Sequence, residues 1–164
     1  CKLLIELDSD IYHTDIYGCN FFHYLLLQEN TQTNTEIIIK LIKFILEFKI
    51  NNFDSIYRLL YMKNIRQLTP IDYILSKGKY NIFVYLEKNN LVRYDSKYIT
   101  SVTDGYKNYY NIIEKHNKNI ENSYQFRSYI DLTQLLLKNC MNFKKQDYLN
   151  SSIKNLPKMR QLLQ

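Results

Sequence analysis

The chain has 164 residues, a net charge of +6 and 46% apolar residues, which suits one domain with a hydrophobic core and argues against intrinsic disorder. It contains three Gly, two Pro, sixteen Tyr and no Trp, and the scarcity of turn residues favours helices over a turn-rich sheet protein. Its three Cys are odd in number and widely spaced, which argues against a disulfide framework and for a reducing, intracellular compartment. No stretch stays apolar for roughly eighteen residues, so we expect no membrane span.

The first half of the chain alternates turns with apolar helical patterns. Residues 1–11 resemble the end of a helix that runs into a turn, so we expect the chain to be cut from a longer protein. Residues 15–18 predict a tight turn, and residues 21–27 a short helix that is closed by the polar residues 28–35. The clearest helix is predicted for residues 36–48, where apolar side chains recur at helical spacing.

A second unit of the same kind follows. Thr69 is predicted to cap a helix with Pro70 at its first position, and Gly78 to end that helix. A further helix is predicted for residues 80–88. Turn, short helix, break and longer helix therefore occur twice. Because short helices are marginal alone, each pair must stack on a neighbour, as in repeat proteins.

These residues resemble the ankyrin-repeat family, whose core reads approximately D-x-x-G-x-T-P-L-H-x-A. Asn20 replaces the Thr of the first copy, and Asp72 replaces the His of the second. The resemblance implies an all-α fold, an ankyrin-type helix-turn-helix solenoid. The positions that carry this structural motif are Asp15, Gly18, His23, Thr69, Pro70 and Gly78.

The resemblance also divides the chain. It covers residues 1–92, as a partial first repeat (1–14) and two repeats (15–52 and 63–92). Residues 93–164 are interpreted as degenerate helical repeats or a C-terminal helical cap, with 105–113 and 131–139 each as an outer helix. The two copies lie 49 residues apart instead of the family's roughly 33, so we expect expanded loops at 28–35 and 51–62.

No catalytic or cofactor motif stands out. In an ankyrin-like unit His23 fixes the turn, and no acid or nucleophile lies at helical spacing to it, so we interpret it as structural. His13, Cys19 and His23 are an irregularly spaced set without a fourth ligand, a weak signal for zinc. Three isolated Gly cannot form a phosphate-binding loop. The sequence therefore predicts a protein that is not an enzyme and has no cofactor.

Protein binding is the function that the resemblance implies. It would use the inner-helix face and the turn tips, whose exposed types suit interfaces. One alternative is a basic helical module that binds nucleic acid, because residues 93–164 carry the whole positive excess and many Tyr; scattered Lys make this the weaker hypothesis. A third option is a purely structural spacer within a larger chain. The predicted protein-binding residues are Tyr12, His13, Thr14, Ile16 and Tyr17 in one copy, and Met62, Lys63, Asn64, Arg66 and Gln67 in the other.

The composition indicates which kinds of organism or virus the chain could come from. Expanded repeats without Ala and rich in Ile, Asn, Lys and Tyr resemble the ankyrin proteins of poxviruses, which bind ubiquitin-ligase or host defence components. For such a protein the location would be the host cytoplasm. Leu156-Pro157 is similar to part of the F-box-like segment of those proteins, but lacks the acidic residue expected after it. A/T-rich protozoa or intracellular bacteria would yield the same composition.

Overall fold

The computed structural model describes residues 10–48, 53–95, 97–115 and 123–139. Within these ranges the regular structure is helical, without β-strands, which confirms the predicted all-α class. The expected helix end at residues 1–11 lies largely outside the described residues, and so does the F-box-like Leu156-Pro157. The described helices are α1 (Phe21–Leu27), α2 (Gln32–Phe48), α3 (Phe53–Tyr61), α4 (Pro70–Ser76), α5 (Tyr80–Lys88), α6 (Lys97–Lys115) and α7 (Tyr124–Asn139).

The helix bounds agree with the sequence where local signals are strong. Helices α1 and α5 span the predicted residues, and α4 begins at Pro70 behind the N-cap Thr69. The polar loop predicted at 28–35 was too long, because α2 begins at Gln32 and the Thr31 hydroxyl accepts the Asn34 N–H at 3.2 Å. The loop predicted at 51–62 was also wrong, since it contains α3.

The helices pack in two rows. Helix α4 packs against both α1 and α6, and we call these three the inner row. Helix α5 packs against both α2 and α7, which form the outer row, while α3 lies against α4. Taken in chain order, α1–α2, α4–α5 and α6–α7 are three successive pairs, and neighbouring pairs pack inner helix on inner helix and outer helix on outer helix. None of the described helices is long and apolar enough to cross a membrane.

One continuous apolar core joins the rows. Phe22 and Leu26 of α1 and Ile71 and Ile74 of α4 are fully buried and belong to the same cluster as Val102 of α6. Full burial of such a side chain stabilises the folded state by about 1.5–3 kcal/mol. A seven-residue helix therefore holds its shape in this chain through the neighbour it is packed against.

The third pair is joined to the second at the end of α4. A Cβ atom on Gly105 of α6 would lie 2.3 Å from the carbonyl oxygen of Ser76, so only glycine permits this approach. From α7, the Tyr129 hydroxyl donates to the same oxygen at 2.5 Å, and its ring covers Gly78. The prediction that 105–113 form an outer helix was wrong: the close approach at Gly105 places α6 in the inner row.

Replacing Gly105 with Ala tests this contact. At an exposed helix position the change would stabilise the protein by about 1 kcal/mol, because glycine is a poor helix former. Here we expect a loss of about 1–3 kcal/mol in the free energy of unfolding, since the methyl group would push α6 away from α4. Urea denaturation measures the change. Lys107→Ala, at an exposed position of the same helix, is the control, and equal stability of the two variants would contradict the packing described.

A buried lysine lies between the first two pairs. Lys79, just before α5, is 0% exposed, and its ammonium group donates to the carbonyl oxygen of Glu29 at 3.5 Å. In the opposite direction the Asn30 side chain donates to the carbonyl oxygen of Gly78 at 2.8 Å. The two bonds cross between adjacent loops and tie the pairs together. Burial, assisted by the charge of Lys77, lowers the pKa of Lys79 from 10.5 to about 8.

This lowered pKa makes Lys79→Met a stabilising substitution. The unfolded chain holds the proton up to pH 10.5 and the folded chain only to about 8, so the charged form destabilises the fold at neutral pH and the cost falls as pH rises. We expect a gain of about 1–3 kcal/mol at pH 7. Urea denaturation of variant and wild type should show that this gain shrinks towards pH 9.5. Lys88→Met, at an exposed position of α5, should show no such trend; a gain independent of pH would contradict the assignment.

Candidate binding surface

Two turns in the chain share one pattern of hydrogen bonds. In the first, the Asp15 carboxylate accepts the backbone N–H groups of Tyr17 at 2.9 Å and Cys19 at 2.8 Å. In the second, the Asn64 side-chain oxygen accepts those of Arg66 at 2.9 Å and Leu68 at 3.1 Å. Acceptor and donors stand at the same offsets in both turns.

The backbone of the turns repeats as well. The Asp15 N–H donates to the carbonyl oxygen of Cys19, and the Asn64 N–H to that of Leu68. Gly18 has a φ of 69°, and Gln67 has a φ of 60° at the corresponding place. This conformation costs a residue with a side chain roughly 1–2 kcal/mol. The two turns are therefore the same structure, 49 residues apart.

Each turn leads into a helix with a reciprocal cap. Asn20 caps α1, where its side chain accepts the N–H of His23 while His23 Nδ1 accepts the N–H of Asn20 at 3.1 Å. Thr69 caps α4 in the same way with Asp72, whose carboxylate accepts the N–H of Thr69 at 2.7 Å. Such caps satisfy backbone groups that the helix leaves free. They fix the angle between each turn and the helix that follows it.

Direct hydrogen bonds connect the two turns. The N–H of Ile65 donates to the carbonyl oxygen of Tyr17 at 3.0 Å. His23 Nε2 lies 3.1 Å from the carbonyl oxygen of Leu68, and it donates there because Nδ1 acts as the acceptor in the cap. Asn20 extends the connection to α3 by donating to the carbonyl oxygen of Leu59 at 2.8 Å. His23 is thus a structural residue that spans both units, and burial lowers its pKa.

The tips of the turns project into solvent. Ile16 is 87% exposed and Tyr17 is 55% exposed. Among the other predicted protein-binding residues, four are exposed and three are partly buried. Exposed are His13, Lys63, Arg66 and Gln67; partly buried are Tyr12, Thr14 and Met62.

Asn64 does not belong to this exposed set. It is only 4% exposed, and its side-chain oxygen is taken up by two backbone N–H groups of its own turn. Asn64 is the counterpart of Asp15 and shapes the turn. Its inclusion among the contact residues is therefore corrected to a structural role.

One exposed apolar residue was missed in the sequence. Ile65 is 64% exposed and stands 49 residues after Ile16, at the same place in the turn. The spacing of the two copies was the signal that identifies it. We define the turn surface as Ile16, Tyr17, Ile65 and Arg66. Tyr24 and Leu27 on α1 are also exposed and extend the apolar area along the inner row.

The described residues offer no metal centre. Within those ranges no group of three or more His, Cys, Asp or Glu side chains is arranged to hold a metal ion. His23, the member of the weak zinc set that lies deepest, has both ring nitrogens occupied by hydrogen bonds to the backbone.

Comparison with known proteins adds no relative. No protein-family model matches the chain, and no curated protein or solved structure is significantly similar to it.

Replacing His23 with Ala tests the connection between the turns. The loss of two buried hydrogen bonds should cost about 2–3 kcal/mol in the free energy of unfolding at pH 7. Folding lowers the pKa of His23 below its ordinary value of 6.5. The stability that the neutral ring contributes is therefore fully present above pH 6.5 and declines as the pH falls below 6.5. Urea denaturation between pH 7 and pH 5 should therefore show the wild type losing more stability than His23→Ala. His13→Ala removes an exposed ring and should leave stability within about 0.5 kcal/mol. Parallel pH curves for wild type and His23→Ala would refute the assigned role.

Proposed function

We propose that this chain is a divergent ankyrin-type repeat scaffold that binds another protein through the turn surface and the adjoining face of the inner row. The observation that carries the proposal is the pair of matching turns, joined by the bond from the Ile65 N–H to the Tyr17 carbonyl oxygen. At the same position of each turn an isoleucine, Ile16 or Ile65, is exposed to solvent. A scaffold of this kind works by shape and exposed side chains, without a cofactor.

The exposed side chains fit a protein partner. Ile16 and Ile65 face solvent although the core accommodates Ile readily at other positions, so the fold itself does not require them there. Tyr17 and Arg66 beside them are types that contribute strongly to protein interfaces. Apolar tips next to one aromatic and one guanidinium group suit a desolvated contact better than they suit the phosphates of a nucleic acid.

The partner class follows from the resemblance to poxvirus ankyrin proteins. We propose a host or cellular protein, such as a ubiquitin-ligase or host defence component, and a viral host-range or immune-evasion role in the host cytoplasm. Stacked helix pairs and repeated turns support the scaffold part of this proposal.

The turn surface can be tested by affinity capture from a host-cell lysate. We expect wild-type protein to retain a partner after nuclease treatment, and the double variant Ile16→Ser/Ile65→Ser to lose it by roughly tenfold or more, because two apolar anchors are removed. Quantitative mass spectrometry of the captured proteins measures the loss. Since both side chains are exposed, the variant should fold normally, which its thermal unfolding checks.

Ile37→Ser is the control, because Ile37 is also an exposed isoleucine and lies on α2, outside the turns. It should retain the partner. If nuclease treatment releases all bound material, the result supports the nucleic-acid alternative, and the scaffold proposal fails. A partner held equally by all variants would show that the turn surface is not the site.

A further inference from the structure

A groove of about 900 Å³ opens on the inner row, beside the third pair. Its floor is the free face of α4 and the loop at residues 29–32, one wall is α6, and its end is the start of α7. The groove arises from unequal helix lengths. Helix α6 has 19 residues against seven in α4, so beyond the crossing at Gly105 its second half overhangs its shorter neighbour.

One face of α6 lines this groove. Asp104, Asn108 and Ile112 follow at intervals of four residues and are all exposed, so their side chains share one side of the helix. Ile112 is 60% exposed, an isoleucine in contact with water at the edge of the wall. Tyr73 and Tyr109 add partly buried aromatic rings. The groove thus offers an apolar strip with aromatic sides.

Its charge is opposite to that of the protein. The chain as a whole carries +6, yet the described lining of the groove has the carboxylates of Glu29, Asp72 and Asp104 against the ammonium group of Lys77. The ammonium group of Lys79 is buried and bonded to the Glu29 carbonyl oxygen. Asp72 is engaged in the cap of α4. Glu29 and Asp104 are exposed and make no ion pair within the described part of the chain. The carboxylates of Glu29 and Asp104 are therefore accessible to a positively charged ligand.

We propose that this groove binds a short basic peptide segment of a partner protein, with a Lys or Arg side chain between Glu29 and Asp104 and an apolar side chain on Ile112. The aromatic rings of the groove suit the flat guanidinium of Arg in particular. Phosphate-bearing ligands, whether nucleic acid or lipid head groups, are repelled by the same carboxylates. The groove belongs to the inner-row face of the proposed scaffold and reaches Leu68 at the end of the second turn. The inference thus rests on the proposed function and names the partner chemistry of that face, without requiring contacts to Ile16 or Ile65.

The test starts from a phage-displayed library of random short peptides selected on the wild-type protein. We expect the enriched peptides to contain an excess of Lys and Arg together with an apolar residue. Synthetic copies with a fluorescent label are then titrated against protein variants by fluorescence anisotropy. Asp104→Asn combined with Glu29→Gln should weaken binding roughly threefold to tenfold, as expected for the loss of two exposed charge pairs. Ile112→Ser should weaken it by at least about threefold, and salt should weaken the wild-type complex.

Matched controls exist on the same molecule. Glu114→Gln removes a carboxylate from α6 outside the groove, and Ile37→Ser removes an exposed isoleucine from α2; both should bind as the wild type does. The double variant Ile16→Ser/Ile65→Ser should also keep full affinity, which separates this site from the turn surface. Failure to enrich any peptide, enrichment of acidic or neutral peptides, or affinities unchanged in the groove variants would overturn the proposal.

Discussion

The structure depends on the flank-to-flank packing of helices that are too short to stand alone. Helices α1 and α4 have seven residues each, and their core residues are buried because α1 packs against α4, which packs in turn against α3, α5 and α6. Hydrogen bonds within two turns of helix cannot offset the conformational entropy of ordering them. The caps, the paired turns and the bonds between loops all add to this packing, since each fixes where the next short helix begins.

Polar side chains in the interior serve the same packing. Asn20 and His23 are buried, and every polar atom that they bring inside finds a backbone partner in the neighbouring unit or in its own cap. Buried polar groups are costly unless they are satisfied, so they also define the register of one unit on the next. With the register fixed, Ile16 and Ile65 point from equivalent places. The arrangement of the turn surface is therefore a direct outcome of how the units stack.

Much of the first two pairs could be predicted from the sequence because its signals are local. Thr69-Pro70 and Gly78 mark helix ends through capping and a positive φ, and the bounds of α4 follow from them. Helix α3 was missed, although Ile56, Leu59 and Leu60 face the core at helical spacing. The place of α6 could not be read at all, since it depends on a tertiary approach to Ser76 that no local pattern records. The groove follows from that placement and was equally hidden.

Two hydrogen bonds between the first two pairs bear on how the molecule comes apart. On one side the His23 ring holds the carbonyl oxygen of Leu68, and on the other the Asn30 amide holds that of Gly78. Hydrogen bonds thus join the first two pairs at both ends of the contact between α1 and α4. Complete separation of these pairs therefore requires the loss of both bonds and of the apolar contact between α1 and α4. Because the turn surface is made by both pairs and joined by the bond from the Ile65 N–H to the Tyr17 carbonyl oxygen, it exists as one surface only while the pairs stay together.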